Sequence, residues 1–199
     1  MAASPRPSPT ALHDRAADDL RFIRETMQRA VAFTALSGFG FILVGLGAIA
    51  TAATTSRIDS PTARLLLWLC DALLSVAVGS AMTAIKARRA GQFAWRGPLR
   101  KFAASLAPAL VAGAALTAVL AGRGDFDDLP CVWLLCYGAG LAAAGAFSVR
   151  VVPVMGWSFV AVGLSAAAFG PRGGEVAMLL GFGVLHVAFG AVIMRRYGG

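Results

Sequence analysis

The sequence predicts an all-α fold: a polytopic membrane helical bundle of six transmembrane helices in three hairpins, preceded by an amphipathic interfacial helix. Hydrophobic residues make up 58% of the 199-residue chain and charged residues only 14%, well below the ~25% charged content of soluble domains. The apolar residues form six stretches, each about long enough to cross a hydrocarbon core of ~30 Å as a helix. The predicted spans are 31–54, 65–85, 102–122, 131–151, 154–170 and 176–194.

The chain begins with a polar segment, residues 1–16, which is rich in Pro, Ser and Ala and has no periodicity. This composition predicts a disordered cytoplasmic tail, followed by a single membrane domain over residues 17–199. The segment lacks the apolar core of a cleavable signal peptide, so we expect span one to be the targeting signal. Residues 18–30 place apolar side chains on one helical face and charged ones elsewhere, which predicts an amphipathic helix on the cytoplasmic leaflet.

Charged residues between the spans fall almost entirely on alternate sides of the predicted membrane. Fourteen of the 18 Lys and Arg residues lie before span one, between spans two and three, or after spans four and six. Because basic loops are retained in the cytoplasm, we expect a multi-pass membrane protein with both termini cytoplasmic. The basic segment 86–101 is explained by this topology and by lipid headgroups. It is short and contains only two rings that could stack on bases, so no nucleic-acid partner is predicted.

Sequence matches between spans predict an internal repeat. GFGFILVGLGAIA (38–50) aligns without gaps to GWSFVAVGLSAAA (156–168), with seven identities in 13 positions, and LSVAVG (74–79) resembles LHVAFG (185–190). These matches predict that the hairpin of spans one and two is repeated in spans five and six. Glycines also recur seven residues apart, which places each pair on one helix face and predicts close helix packing, not a pore lining. The pairs are Gly38/Gly45, Gly40/Gly47, Gly138/Gly145, Gly156/Gly163 and Gly183/Gly190.

Three polar residues inside the spans are candidates for a ligand or proton site: Asp71, Tyr137 and His186. A charged Asp deep in hydrocarbon costs about 2.5–3.5 kcal/mol, so we expect Asp71 inside the bundle, protonated or hydrogen-bonded. Tyr137 is at a similar depth and could donate to it, and His186 is several ångströms deeper. The three residues either form a proton- or cation-responsive site that opens to the outside, or satisfy one another and fix the helix register.

The sequence contains no catalytic, metal-binding or nucleotide-binding motif, and no cofactor is predicted. The three cysteines, Cys70, Cys131 and Cys136, do not have the spacing of metal ligands. A disulfide between Cys70 and span four is one alternative, and burial as small apolar side chains is the favoured one. His186 is the lone histidine of the spans, which gives little support to haem ligation.

Three stretches resemble an uncharacterised family of small bacterial six-span membrane proteins. They are RFIRETMQRA (21–30), FSVRVVPVMG (147–156) and RRYGG (195–199), and the resemblance extends over about residues 18–199. The resemblance implies the six-span topology and a location in the bacterial inner membrane, and it implies no activity. The first two stretches lie at the predicted cytoplasmic face, where we expect contact with a partner. The candidate contact residues are Arg21, Arg24, Glu25 and Arg150.

Taken together, these patterns favour a non-enzymatic scaffold, accessory subunit or sensor that acts through its cytoplasmic face. The expected partners are the lipid bilayer and either another protein or a second copy, joined through that face or through the glycine-rich helix faces. The alternative is a transporter or channel for a small solute, cation or proton that uses Asp71 and His186. A membrane enzyme is the third and least favoured class.

Overall fold

The computed structural model describes residues 18–23, 36–89 and 97–198. Contacts divide the chain into two units, Met1–Ala32 and Phe33–Gly199. In the first unit, residues 18–23 are helical and exposed, and this stretch includes Arg21. Three predicted segments lie outside the described residues. They are the tail 1–16, the rest of the interfacial helix, which includes Arg24 and Glu25, and residues 31–35 of span one.

The described residues of the second unit contain six long helices, which confirms the predicted all-α bundle. They are α1 (Gly38–Thr55), α2 (Pro61–Arg89), α3 (Pro98–Arg123), α4 (Leu129–Ala144), α5 (Val151–Gly170) and α6 (Gly173–Tyr197). One 3-10 turn, Phe126–Asp128, precedes α4 and another, Gly145–Phe147, follows it, while residues Leu179–Leu185 of α6 form a π-helix. All six are long and apolar enough to cross a bilayer when α4 is taken together with its two flanking 3-10 turns, as Phe126–Phe147. The chain is therefore a multi-pass membrane protein.

Helix boundaries coincide with residues that suit them chemically. The Ser37 side chain caps α1 by accepting a hydrogen bond of 3.1 Å from the backbone N–H of Gly40, which satisfies one of the free donors of the first turn. Gly124, at φ 81°, ends α3 in the left-handed conformation that glycine adopts without strain. Gly170, at φ 66° and ψ −159°, separates α5 from α6 in an extended positive-φ conformation that is essentially restricted to glycine. These local signals set the lengths of the spans.

Helices α1, α4, α5 and α6 form the centre of the bundle, and α2 and α3 lie at its sides. Helix α1 packs against α2 and α6, helix α4 packs against α3 and α5, and α5 also contacts α6. The largest fully buried side chains all belong to the region from α4 to α6: Phe159, Leu134, Leu141, Met155, Ile193 and Val152. In contrast, Ala87 is the one buried residue among the 29 of α2. The flanking helices therefore present most of their apolar surface outward.

Two helix pairs pack backbone to backbone through glycines, which confirms that the spaced glycines serve packing. A Cβ atom built on Gly38 of α1 would lie 2.6 Å from the carbonyl oxygen of Gly190, and one built on Gly190 would lie 2.8 Å from that of Gly38. We call this the α1–α6 glycine contact. The same arrangement joins Gly156 of α5 to Gly138 of α4, with distances of 2.7 and 2.8 Å. We call this second one the α4–α5 glycine contact.

The internal repeat exists, but it pairs different helices from those the sequence predicts. Gly38 and Gly156 occupy equivalent contacts, which confirms the match of α1 with α5. The partner of α1 is α6 and the partner of α5 is α4, so the counterpart of α6 is α4 and not α2. Helix α2 instead packs on another face of α1, against Gly40 and Gly47. The second sequence match was misleading because short Gly/Ala-rich segments resemble one another without sharing contacts.

Lys86 joins three segments at the end of the bundle opposite the acidic loop residues. Its ammonium group donates to the backbone carbonyls of Leu36 at 3.1 Å and Tyr197 at 2.9 Å, and also to that of Gly198. These bonds connect α2 with the start of α1 and the end of α6. The positive charge also lies at the C-terminal end of α6, where the helix dipole favours a cation.

Replacing Lys86 by methionine is expected to lower the free energy of unfolding by about 2 kcal/mol, since charge-assisted hydrogen bonds each contribute roughly 1.5–3 kcal/mol. Unfolding of the purified protein in mixed micelles by increasing fractions of sodium dodecyl sulfate measures this. The control is Arg88→Met, which removes an exposed charge from the same helix turn. Equal stability of the two variants would contradict the role given to Lys86.

Candidate functional site

The clearest polar contact inside the bundle joins α4 to α6. The Tyr137 hydroxyl lies 2.9 Å from Nε2 of His186, and Nδ1 of the same ring lies 3.0 Å from the backbone carbonyl oxygen of Phe182. A carbonyl can only accept, so Nδ1 carries the proton and donates it. In the neutral imidazole, Nε2 is then an acceptor, and the Tyr137 hydroxyl donates to it. The hydrogen-bond network thus assigns one tautomer to His186.

The backbone of α6 is irregular next to His186. His186 directly follows the π-helical segment Leu179–Leu185, and its backbone N–H donates to the carbonyl of Gly183. The carbonyl of Phe182 accepts the bond from the histidine side chain. π-Helical turns are rare and occur frequently at functional sites. The irregular turn therefore immediately precedes the residue that forms the interhelical hydrogen bond with Tyr137.

Aromatic rings surround His186 on several sides. Phe41 and Phe182 lie roughly parallel to the imidazole, with ring centroids 5.7 and 6.1 Å away. Phe159 meets it edge-on at 5.2 Å, and the Tyr137 ring is 5.5 Å away. We call these five residues the histidine cluster. The four rings come from α1, α4, α5 and α6, and together they leave His186 only 3% exposed.

Asp71, the third predicted site residue, lies elsewhere. Its carboxylate faces α1, where it is close to Gly47 and interacts with the Thr51 side chain. The Tyr137 hydroxyl, which the sequence suggested as its donor, bonds to His186 instead. No hydrogen bond in the described part of the chain links Asp71 to Tyr137 or His186. The structure thus brings two of the three candidates together and places the third against a neighbouring helix.

The other candidate residues are dispersed. Arg150 is exposed at the start of α5. All three cysteines are free, with Cys70 exposed and the two of α4 half-buried, so the alternative of a disulfide to span four is not formed. Across residues 18–23, 36–89 and 97–198, no three His, Cys, Asp or Glu side chains are grouped as metal ligands.

A cavity of about 100 Å³ opens at the end of the bundle that carries Asp59, Asp125, Asp127, Asp128 and Glu175, which we call the acidic end. The Arg64 guanidinium forms an ion pair with the Glu175 carboxylate there, linking α2 to α6. Trp68 and Trp133 contribute to the walls. The Trp68 ring also lies 6.4 Å from that of Phe182, so a continuous series of rings connects the cavity with the histidine cluster.

Sequence reasoning missed the three phenylalanines of the histidine cluster. Phe41 and Phe159 had a signal, because they occupy the same position in the match between residues 38–50 and 156–168. Phe182 had none, since an apolar ring in an apolar span is equally suited to face lipid. The cavity was also missed, because its lining combines residues from α1, α2, α4 and α6 that are far apart in the chain.

The fold and the site together define a class: a multi-pass α-helical membrane protein whose central helices enclose a hydrogen-bonded Tyr–His pair among aromatic rings. Comparison of the chain with protein-family models, with curated proteins and with solved structures gives no match. The function must therefore be argued from the residues themselves.

Proposed function

We propose that this chain is a non-enzymatic membrane protein, a scaffold, accessory subunit or sensor that acts through the basic end of the bundle. The basic end is the one that carries Lys86, Arg88, Arg89, Arg100, Lys101, Arg150, Arg195 and Arg196. The observation that carries the proposal is the closed centre of the bundle. The rings of the histidine cluster pack against one another there, and no buried polar side-chain atom in the described residues lacks a hydrogen-bond partner.

The charge distribution supports a bacterial inner-membrane location with both termini in the cytoplasm. Basic residues concentrate at one end of the bundle and acidic residues at the other, as expected when the basic end remains cytoplasmic. The resemblance of residues 18–199 to small bacterial six-span proteins supports the same location. The basic end would then be available to cytoplasmic or membrane partners and to anionic lipid headgroups.

The alternative function is a transporter or channel for a small solute, cation or proton. Asp71 and His186 would be its polar groups, but they have separate partners, Thr51 and Tyr137. The glycine contacts also bring the central backbones too close for a solvated path between α1 and α6 or between α4 and α5. Transport would require these contacts to separate, so we favour the scaffold, accessory or sensor function.

Native mass spectrometry of the protein, extracted with its surrounding lipid from native membranes, tests the proposal. We expect a complex heavier than the 20.5 kDa chain, containing either a stoichiometric second protein or further copies. Reversing the charge of Arg195 and Arg196 to Glu should dissociate it, whereas Arg123→Glu at the opposite end should not. A bare 20.5 kDa species from wild-type membranes would overturn the proposal.

A further inference from the structure

We propose that the cavity at the acidic end is a binding site for a small organic cation, about the size of a tetramethylammonium ion. This inference goes beyond the proposed function, which acts through the basic end and assigns no ligand to the acidic end. It rests on the size of the cavity, on the chemistry of its walls and on the charge that its lining leaves unpaired.

The cavity has the dimensions and the walls of a small-ligand site. Its volume of about 100 Å³ is somewhat below the ~150 Å³ of an engineered cavity that accommodates benzene. A ligand of roughly five non-hydrogen atoms therefore fits. The walls are mainly apolar, formed by Leu65, Trp68, Leu129, Trp133 and Met178. Ligand sites typically combine such walls with a few polar groups that determine which ligand is accepted.

The charged side chains of the lining favour a cation. They are Arg64, Asp127 and Glu175, and the first and last of these pair with each other. Asp127 makes no ion pair with any described side chain, so the lining carries one net negative charge. An anion would have to displace Glu175 from Arg64. A cation can bind without breaking the Arg64–Glu175 ion pair, because it can pair directly with the Asp127 carboxylate.

The two tryptophans provide the second attraction for a cation. The face of an indole ring attracts cations more strongly than that of any other side chain, and quaternary ammonium ions are recognised by aromatic walls of this kind. The indole N–H of Trp133 is already bonded to the Thr117 hydroxyl at 2.7 Å, which holds that ring in place. The Trp133 N–H therefore needs no acceptor from the ligand, and a quaternary ammonium ion, which has no hydrogen-bond acceptor, leaves no donor of that ring unpaired.

Ligand-observed NMR on the protein in zwitterionic nanodiscs tests this directly. Saturation transfer to the methyl protons of tetramethylammonium is measured at constant ionic strength, with empty nanodiscs as the blank. The matched neutral probe is tert-butanol, which has nearly the same size and shape. We expect tetramethylammonium to bind about tenfold more tightly, because the indole faces and the Asp127 carboxylate attract the cation and not the neutral probe.

Two substitutions identify the site. Trp68→Leu is expected to weaken tetramethylammonium binding about tenfold, and Asp127→Asn severalfold, since Asp127 is exposed and its replacement leaves the fold intact. The controls are Asp59→Asn, which removes an acid at the same end but outside the cavity, and Trp157→Leu, which removes a tryptophan that does not line it. The proposal is overturned if tert-butanol binds as tightly as tetramethylammonium, or if Asp127→Asn behaves like Asp59→Asn.

Discussion

Replacing Gly156 by alanine is expected to lower the melting temperature of the purified protein by roughly 6–12 °C. The new Cβ atom would lie 2.7 Å from the carbonyl oxygen of Gly138 and would also overlap the backbone of Ala142. Overpacking usually costs about 1–3 kcal/mol, and here the neighbour is backbone, which can move only if α4 and α5 separate. A cost of about 3 kcal/mol or more gives the stated shift at roughly 2–4 °C per kcal/mol for a chain of this size.

The control for this prediction is Gly79→Ala in α2. A Cβ atom on Gly79 would meet nothing within 4 Å, and alanine favours helix over glycine by about 1 kcal/mol, so stability should stay the same or rise. Gly38→Ala should behave like Gly156→Ala, because the two residues occupy equivalent contacts. If Gly156→Ala melts at the same temperature as Gly79→Ala, the α4–α5 glycine contact is not as close as described.

Substitutions at His186 and Tyr137 are expected to have an effect of similar size, and the order of stability among the variants tests the Tyr137–His186 hydrogen bond. His186→Ala removes a ring that contacts four others and should cost about 3–5 kcal/mol, as aromatic-to-alanine changes in cores do. His186→Phe keeps the ring but leaves the Tyr137 hydroxyl without its acceptor, at a cost of about 1–3 kcal/mol. Adding Tyr137→Phe removes that hydroxyl and should recover most of the loss. Unfolding titrations of all three variants measure the series.

Tyr197→Phe is the control, since Tyr197 is the other tyrosine and lies outside the histidine cluster. If the double variant is as unstable as His186→Ala, the Tyr137–His186 hydrogen bond does not account for the cost. The double variant also separates the two candidate functions. Folded protein with both changes should match wild type in proton-flux assays on reconstituted vesicles, whereas a flux that is present in wild type and lost in this variant would establish transport.

The sequence was sufficient to locate the spans. Hydropathy and proline positions predicted four of the six to within about four residues, as shown by Pro61 at the start of α2 and Pro171 just after α5. The predicted first span, 31–54, began too early, since α1 starts at Gly38 after its Ser37 cap. The predicted fourth span, 131–151, overran α4, which ends at Ala144. Its last residues form a 3-10 turn and the link to α5, because the apolar composition continues through the turn.

Side-chain partners could not be predicted in the same way. Phe159 is fully buried and Phe169, in the same helix, is 76% exposed, yet both are phenylalanines in an apolar span. Hydropathy distinguishes water from membrane, but it does not distinguish lipid from protein, because both are apolar. The hydrogen-bond acceptors of Lys86 could not be predicted either, because hydropathy does not show which helix ends meet. Two of these acceptors lie 111 and 112 residues away in the chain. Spaced glycines were informative because only close backbone contact favours their small size at such intervals.

The α1–α6 glycine contact has a consequence for the order of assembly during synthesis. The α4–α5 contact joins helices that are consecutive in the chain, so it can form as soon as both have entered the membrane. In contrast, α1 is the first of the six helices to leave the ribosome, and α6, which carries its partner Gly190, is the last. Gly38 and Gly190 are separated by most of the chain. Until then the glycine face of α1 is exposed to lipid or to the insertion machinery. The bundle therefore closes only after translation of its final helix, and a truncated chain that lacks α6 is expected to be a substrate for membrane proteases.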